Sequence, residues 1–328
     1  MFRSKSTFLP LCAILLCSTA SAESYKVPRL ADGSPNLQGF WSNATATPFE
    51  RSSEHGNRRA FTEQEAAAIR DEALARVAAD AVPTDPNAPP PEAKALPPVG
   101  NYNLFWTDRG SNVTYIDGEY RTSMIIDPPN GRIPPRLPSA DREDRIPRTN
   151  DGPEGRGLGE RCLLSFGSSS GPPMLPTMYN SYYQIVQAPG YVLILVEMVH
   201  DARIIRIGKN LEHDPRAKWM GDSIGHWEGD TLVVKTTNFR PEQSFRGTSP
   251  NAVITERFTR VADDKIVYRF TVDDPEVFAT PFTGENTFKT SNEPIYEYAC
   301  HEGNYGLEGI LQGARLEEAQ RAKGKDKE

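Results

Sequence analysis

The chain has 328 residues, 38% of them hydrophobic and 25% charged, which supplies a sizeable core and excludes both a disordered tail and a mini-protein. Its formal charge of -7 gives an average field that repels nucleic acid and anionic membrane surfaces, so neither is an expected partner. With 25 glycines and 28 prolines, about one residue in six, in a chain of ordinary apolar content, short strands joined by many loops are expected.

Residues 1–22 read as an export signal: Arg3 and Lys5, an apolar run from Phe8 to Cys17, then Ala20-Ser21-Ala22 as the cleavage site. The run is too short to span a bilayer, and no other segment approaches 18 consecutive apolar residues. A periplasmic protein without a transmembrane segment is therefore expected. Cys12 and Cys17 leave with the signal, and the remaining pair, Cys162 and Cys300, most simply forms one disulfide in an oxidising compartment. A Cys300 thiolate served by His301 is a poorer arrangement, because neighbours on an extended chain point to opposite faces.

Residues 23–181 read as an irregular arm wrapped on a core. Val27 to Arg51 is rich in turns and carries Phe40-Trp41, which would pack on the body. Phe61 to Ala81 is a helix, opened by the capping box of Thr62 and Glu65 and striped by Ala67, Ile69, Leu74 and Val77. Seven prolines between Val82 and Gly100 make an extended surface linker. Asn101–Trp106 and Tyr120–Ile126 read as strands, followed by a polar, Arg- and Gly-rich stretch to Gly159 that is long for a structureless loop and so is expected to be an ordered crossing or lid.

The pattern changes at residue 182. Tyr183–Gln187, Tyr191–Met198, Arg203–Ile207, Thr231–Thr237, Ile254–Val261, Ile266–Val272 and Thr283–Lys289 are short β-rich runs, several separated by turn signals such as Pro189-Gly190, Gly229-Asp230 and Asp263-Asp264. Without intervening helices they imply that 182–306 is an antiparallel meander, closed as a lipocalin-like barrel or strongly curved into a sheet. Residues 307–328 read as a helix and a charged tail. The expected fold is mainly β, with one or two helices and a loop-rich N-terminal arm.

Three segments concentrate chemistry. In Glu197-Met198-Val199-His200-Asp201-Ala202-Arg203, strand alternation puts Glu197, Asp201 and Arg203 on one face and His200 on the other, unless a turn intervenes near Asp201. An acidic pair beside arginine keeps one carboxylate charged and leaves the other as a base, and the bland alternative is a structural ion pair at a hairpin. Gly221-Asp222-Ser223-Ile224-Gly225 matches the G-x-S-x-G of a nucleophile elbow, but no strand precedes it and no helix follows it, so a glycine turn competes with a serine hydrolase using Ser223. Tyr296 to Gly306 packs Tyr298, Cys300, His301, Glu302 and Asn304 together, where a disulfide would hold His301 and Glu302 rigidly. A metal on His200, His226, His301 and nearby acids is a further alternative, with no H-E-x-x-H or paired-cysteine spacing present. Nucleotide-binding fingerprints are absent, and no cofactor is expected.

The stretches Thr122 to Gly131, Glu160-Arg161-Cys162-Leu163, Gly221-Asp222-Ser223 with Trp227 to Val234, and Glu297 to Gly306 together resemble a large group of exported bacterial proteins. That resemblance covers most of the mature chain and implies a Gram-negative periplasmic setting, but it brings no established activity with it. From the residues themselves, the leading expectation is cofactor-independent acid/base chemistry on a small organic molecule, as a lyase, isomerase or hydrolase. His200 or His301 would be the base, with Glu197, Asp201 or Glu302 as orienting acids and Arg203, Asn304 and Tyr298 holding substrate. The competing expectation is a non-catalytic small-molecule carrier with an aromatic-lined cavity.

Overall fold

Alternating apolar residues on the β-rich runs converge on one interior, and nine strands close around it as a barrel. A computed structural model describes residues 25–81, 87, 110–140, 149–164, 171–177, 181–243 and 245–325. In chain order the elements are β1 (Gly39–Ser42), β2 (Ala60–Phe61), α1 (Glu63–Asp80), β3 (Tyr115–Ile116), β4 (Glu119–Arg121), β5 (Ile125–Asp127), β6 (Tyr182–Ala188) and β7 (Tyr191–Val196). They continue with β8 (Ala202–Ile207), β9 (Asp222–Glu228), β10 (Thr231–Thr237), β11 (Val253–Ala262), β12 (Lys265–Asp273), β13 (Phe282–Thr290) and α2 (Tyr305–Lys325). The export signal, the strand expected at 101–106 and most of the proline-rich linker lie outside the described residues, as does the side chain of His200.

The barrel runs β1-β6-β7-β8-β9-β10-β11-β12-β13, and β1 closes it by pairing with both β6 and β13. Two expectations need correction. The N-terminal arm is not only a wrapping, because Phe40-Trp41 lies in the closing strand β1 and β5 pairs with β13. The meander is also not wholly antiparallel. A ring of nine strands cannot alternate direction throughout, and the odd step falls between β8 and β9, where Ile205, Arg206 and Ile207 pair in parallel with Ser223, Ile224 and Gly225. A parallel pair needs a long crossover, which residues 208–221 provide.

Direction sorts the loops. Tight hairpins at Pro189-Gly190, Gly229-Asp230 and Asp263-Asp264 gather at one end, and the long connections 43–51, 197–201, 238–252 and 274–281 gather at the other. We call these the hairpin end and the open end. Long loops on a rigid frame are the usual place for a binding site.

The lumen is a packed core. Tyr183, Ile194, Ile205, Phe258, Tyr268, Phe270, Phe282 and Phe288 are each no more than 2% exposed, and Phe258, Tyr268 and Phe288 interlock as tilted and edge-on rings. Gly284 is required by that packing, because a Cβ there would lie 2.4 Å from the Phe270 ring. A cavity of the lipocalin kind would leave its lining open to a water-sized probe, and these side chains are closed to it. Any ligand site has to lie at the ends or on the outside.

The small sheet β2-β4-β3 is clamped to the outer face of β13 by Arg121, which pairs with Glu285 while both side chains are fully buried; Arg269 pairs with Glu285 as well. The α1 helix starts at the capping box read from the sequence, Thr62 accepting from the Glu65 N–H at 3.2 Å and Glu65 accepting from the Thr62 N–H at 2.8 Å. Its expected apolar stripe is largely unused: Ala66 is buried, but Leu74 and Val77 are half-exposed. No described helix is long and apolar enough to cross a membrane.

Cys162 and Cys300 are joined as a disulfide that closes a loop of 138 residues. Closing so long a loop restricts the unfolded chain, so the double variant Cys162→Ser/Cys300→Ser is expected to lose roughly 2–4 kcal/mol of unfolding free energy. Chemical denaturation of oxidised wild type against the variant measures it, and coincident curves would show that the bond contributes nothing.

Candidate functional site

The residues expected to form an acid/base site are distributed over three places. Arg203 projects from β8 into the lumen and forms a two-pronged ion pair with Glu256 of β11, both buried. Its Nε donates to Ser223 Oγ at 3.1 Å, one Nη donates to Thr236 Oγ1 at 3.0 Å, and Tyr268 Oη donates to Glu256 Oε1 at 2.8 Å. The guanidinium is thus spent inside the barrel and is not offered to a substrate. Ser223 is not in a glycine turn: it sits on β9, buried, in hydrogen-bond contact with Arg203 and Thr236. Neither contact is the histidine that a serine nucleophile requires.

Between β7 and β8 the chain makes a single 3-10 turn at Met198–His200, with Val199 at φ 63°, a left-handed conformation unfavourable for a β-branched residue. This turn breaks the strand alternation that would have aligned Glu197, Asp201 and Arg203. Glu197 is buried and accepts the Tyr296 N–H at 3.0 Å, and the Asp201 carbonyl accepts the Val196 N–H at 2.8 Å.

The C-terminal segment forms the third place. Tyr298, Asn304 and the disulfide border an open cleft of about 540 Å³ with Glu297, Leu307 and Ile310. Asn304 Nδ2 donates to the Glu160 carbonyl at 2.7 Å, and its Oδ1 accepts from the Leu307 N–H at 3.4 Å. Asn304 therefore caps α2 and ties it to the disulfide loop while still lining the cleft. His301 and Glu302 are exposed on the turn before α2. Among the described residues no three His, Cys, Asp or Glu side chains are grouped to hold a metal ion.

Sequence reasoning missed a charged cluster around Asp222. This buried carboxylate receives Lys218 Nζ at 2.6 Å, Arg206 Nη2 at 2.7 Å, and His213 Nδ1 and the Asp214 N–H at 3.1 Å. Burial alone would raise its pKa, but Lys218, the Asp214 N–H, Arg206 and His213 outweigh it and hold it at about 2. The cluster pins the 208–221 crossover to the start of β9. Since the folded value lies below the unfolded one, its stabilisation is present above about pH 4 and lost as pH falls toward 2, a difference of roughly 2 kcal/mol. Acid unfolding of Asp222→Asn should show a correspondingly shallower loss over that window; an unchanged profile would exclude Asp222 as its source.

At the open end lies a pocket of about 320 Å³, also unread from the sequence, lined by Thr45, Thr47, Phe49, Met124, Leu175 and Arg246 among others. Its floor is the packed core. Thr45 Oγ1 meets Thr114 Oγ1 at 3.0 Å, Thr114 donates to Asn286 at 2.7 Å, and Asn43 bridges Tyr183 Oη and the Met174 carbonyl. Arg246 lies over the Phe49 ring at 4.7 Å and, among the described residues, its side chain makes no ion pair or hydrogen bond. Its backbone is unusual. Thr248 N–H donates to the Phe245 carbonyl, and the two central residues, Arg246 at φ 54° and Gly247 at φ 85°, are both left-handed. A turn of that kind favours Asn or Gly at its first central position. Arg136 holds it in place, donating to the carbonyls of Arg246 at 3.2 Å, Gly247 at 3.4 Å and Ala140 at 3.2 Å. The pocket therefore combines apolar walls, threonine hydroxyls and, on a fixed turn, a cation that has no anionic partner among the described residues.

No family model and no curated protein matches the chain.

Proposed function

We infer that this chain is an exported, periplasmic binding protein for a small organic anion, which it takes at the open end of the barrel with Arg246 as the counter-charge. The observation that carries this reading is Arg246 itself, a cation with no anionic partner among the described residues, kept at a strained turn position beside an apolar pocket. A carboxylate would accept two parallel N–H bonds from the guanidinium while its apolar part displaces water from Phe49, Met124 and Leu175. The N-terminal pattern and the disulfide support the exported setting. Acid/base catalysis has less support, because Glu197 and Arg203 are buried and engaged while His301 and Glu302 are exposed on the surface.

Calorimetric titration of the full chain with hexanoate and its uncharged isostere hexanamide tests the reading. Hexanoate is expected to bind and hexanamide to bind at least tenfold more weakly. Equal affinity for the two, or no binding of hexanoate at millimolar concentration, would overturn it.

A further inference from the structure

A second pocket of different chemistry lies at the hairpin end. The arm leading into β1 is fastened across that end at several points. Tyr25 Oη donates to Asp263 at 2.9 Å, Arg29 pairs with Asp230, and Arg260 donates to the Asn36 carbonyl at 2.9 Å. Gln187 accepts from the Leu37 N–H at 2.6 Å and donates to the Pro35 carbonyl at 3.0 Å. Between this arm and the β6–β7 hairpin is a pocket of about 320 Å³ walled by Leu30, Ala31, Tyr191, Ile207 and Trp227.

The polar groups around it define what it can recognise. None of its lining residues is Lys or Arg, so nothing there neutralises an anion. The one lining carboxylate, Asp32, accepts the N–H and Oγ of Ser34 at 2.9 and 2.6 Å and closes its own turn. The Gln187 amide is committed to the arm. Among the described residues three side-chain donors in the lining have no hydrogen-bond partner, the Trp227 indole N–H, the Tyr191 hydroxyl and the exposed Gln38 amide, and the first two belong to flat rings. Tyr and Trp combine a large apolar face with one polar handle, which suits a flat partner that presents an acceptor at its edge.

We propose that this pocket is a binding site for an uncharged aromatic molecule carrying a carbonyl or ring-nitrogen acceptor. An anion meets the Asp32 carboxylate with no Lys or Arg in the lining to compensate it, and the unpartnered N–H and O–H donors call for an acceptor on the ligand rather than a cation. The site stands independently of the anion pocket, which lies at the opposite end of the barrel and depends on Arg246.

Ligand-observed NMR titration of the full chain with benzamide and nicotinamide provides the test. Saturable binding is expected, weakened roughly tenfold by Trp227→Phe, which keeps the ring and removes the N–H, as one lost hydrogen bond implies. Tyr191→Leu, at a half-exposed position that the fold tolerates, should weaken it similarly, and Arg246→Gln should leave it unchanged. Absence of binding by both compounds at millimolar concentration would overturn the proposal, as would wild-type affinity in both Trp227→Phe and Tyr191→Leu. Loss of binding in Arg246→Gln would also overturn it, by placing these compounds at the open end.

Discussion

Replacing Arg203 by methionine is expected to lower the unfolding free energy by roughly 3–5 kcal/mol, because it leaves the Glu256 carboxylate buried without its cation. Methionine fills most of the removed volume, so the loss reports charge and hydrogen bonding more than a cavity. In thermal unfolding this is a fall in Tm on the order of 10 °C for a chain of this size. The decisive comparison is the double variant Arg203→Met/Glu256→Gln. Glutamine keeps an acceptor for Tyr268 Oη, which also receives the Met174 N–H at 2.8 Å, and Ser223 and Thr236 remain paired at 2.9 Å. Without a buried charge to strand, the double variant should regain most of the lost stability. If it is as unstable as Arg203→Met, the penalty comes from packing and the electrostatic account of the lumen is wrong.

That buried pair also explains why parts of the fold were hidden in the sequence. Strands whose interior positions are bulky and apolar were legible: Thr231–Thr237 coincides with β10, and the runs over β11, β12 and β13 differ from the structure only at their ends. The β9 strand was not, because its first two inward positions, Ser223 and Gly225, are kept small where Arg203 and Ile205 fill the lumen across from them. On paper, Gly221 to Gly225 reads as a turn for the same reason. The β1 strand has four residues, too few for an alternation, and forms because β6 and β13 leave a gap that it closes. Local chemistry such as the Thr62–Glu65 box needs no tertiary context, whereas closure, the parallel step and the burial of Arg203 are properties of the ring.

The open-end site was illegible for a related reason. What marks Arg246 is a left-handed backbone and, among the described residues, no anionic partner, and neither is written in residue type. The sequence signal available was Phe245-Arg246-Gly247 between two strands, which reads as turn chemistry and nothing more. Conversely, His301, Glu302 and Asn304 looked like a site because polar residues cluster there, but in three dimensions Asn304 caps a helix beside the disulfide and His301 and Glu302 stand exposed on the turn before it.

The same backbone makes the anion site testable by separating stability from binding. A non-glycine residue held left-handed costs about 1–2 kcal/mol, a cost that asparagine largely escapes. Arg246→Asn removes the contact over Phe49, worth roughly 0.5–1 kcal/mol at an exposed position, and relieves the turn by a similar or larger amount. Its Tm is therefore expected to equal or exceed that of the wild type. Hexanoate affinity should fall by about 1–2 kcal/mol, or roughly 5- to 30-fold, because the carboxylate loses its charge-assisted bonds to an exposed guanidinium. Arg136→Ala supplies the complementary arm: it frees the 245–248 turn without touching the pocket, so affinity should drop less and hexanoate should still be preferred over hexanamide. A residue maintained at a cost to the fold, whose replacement stabilises the chain while weakening anion binding, is one whose side chain is used. If Arg246→Asn instead destabilises the barrel and leaves hexanoate binding intact, Arg246 is a packing element and the anion has to be sought elsewhere.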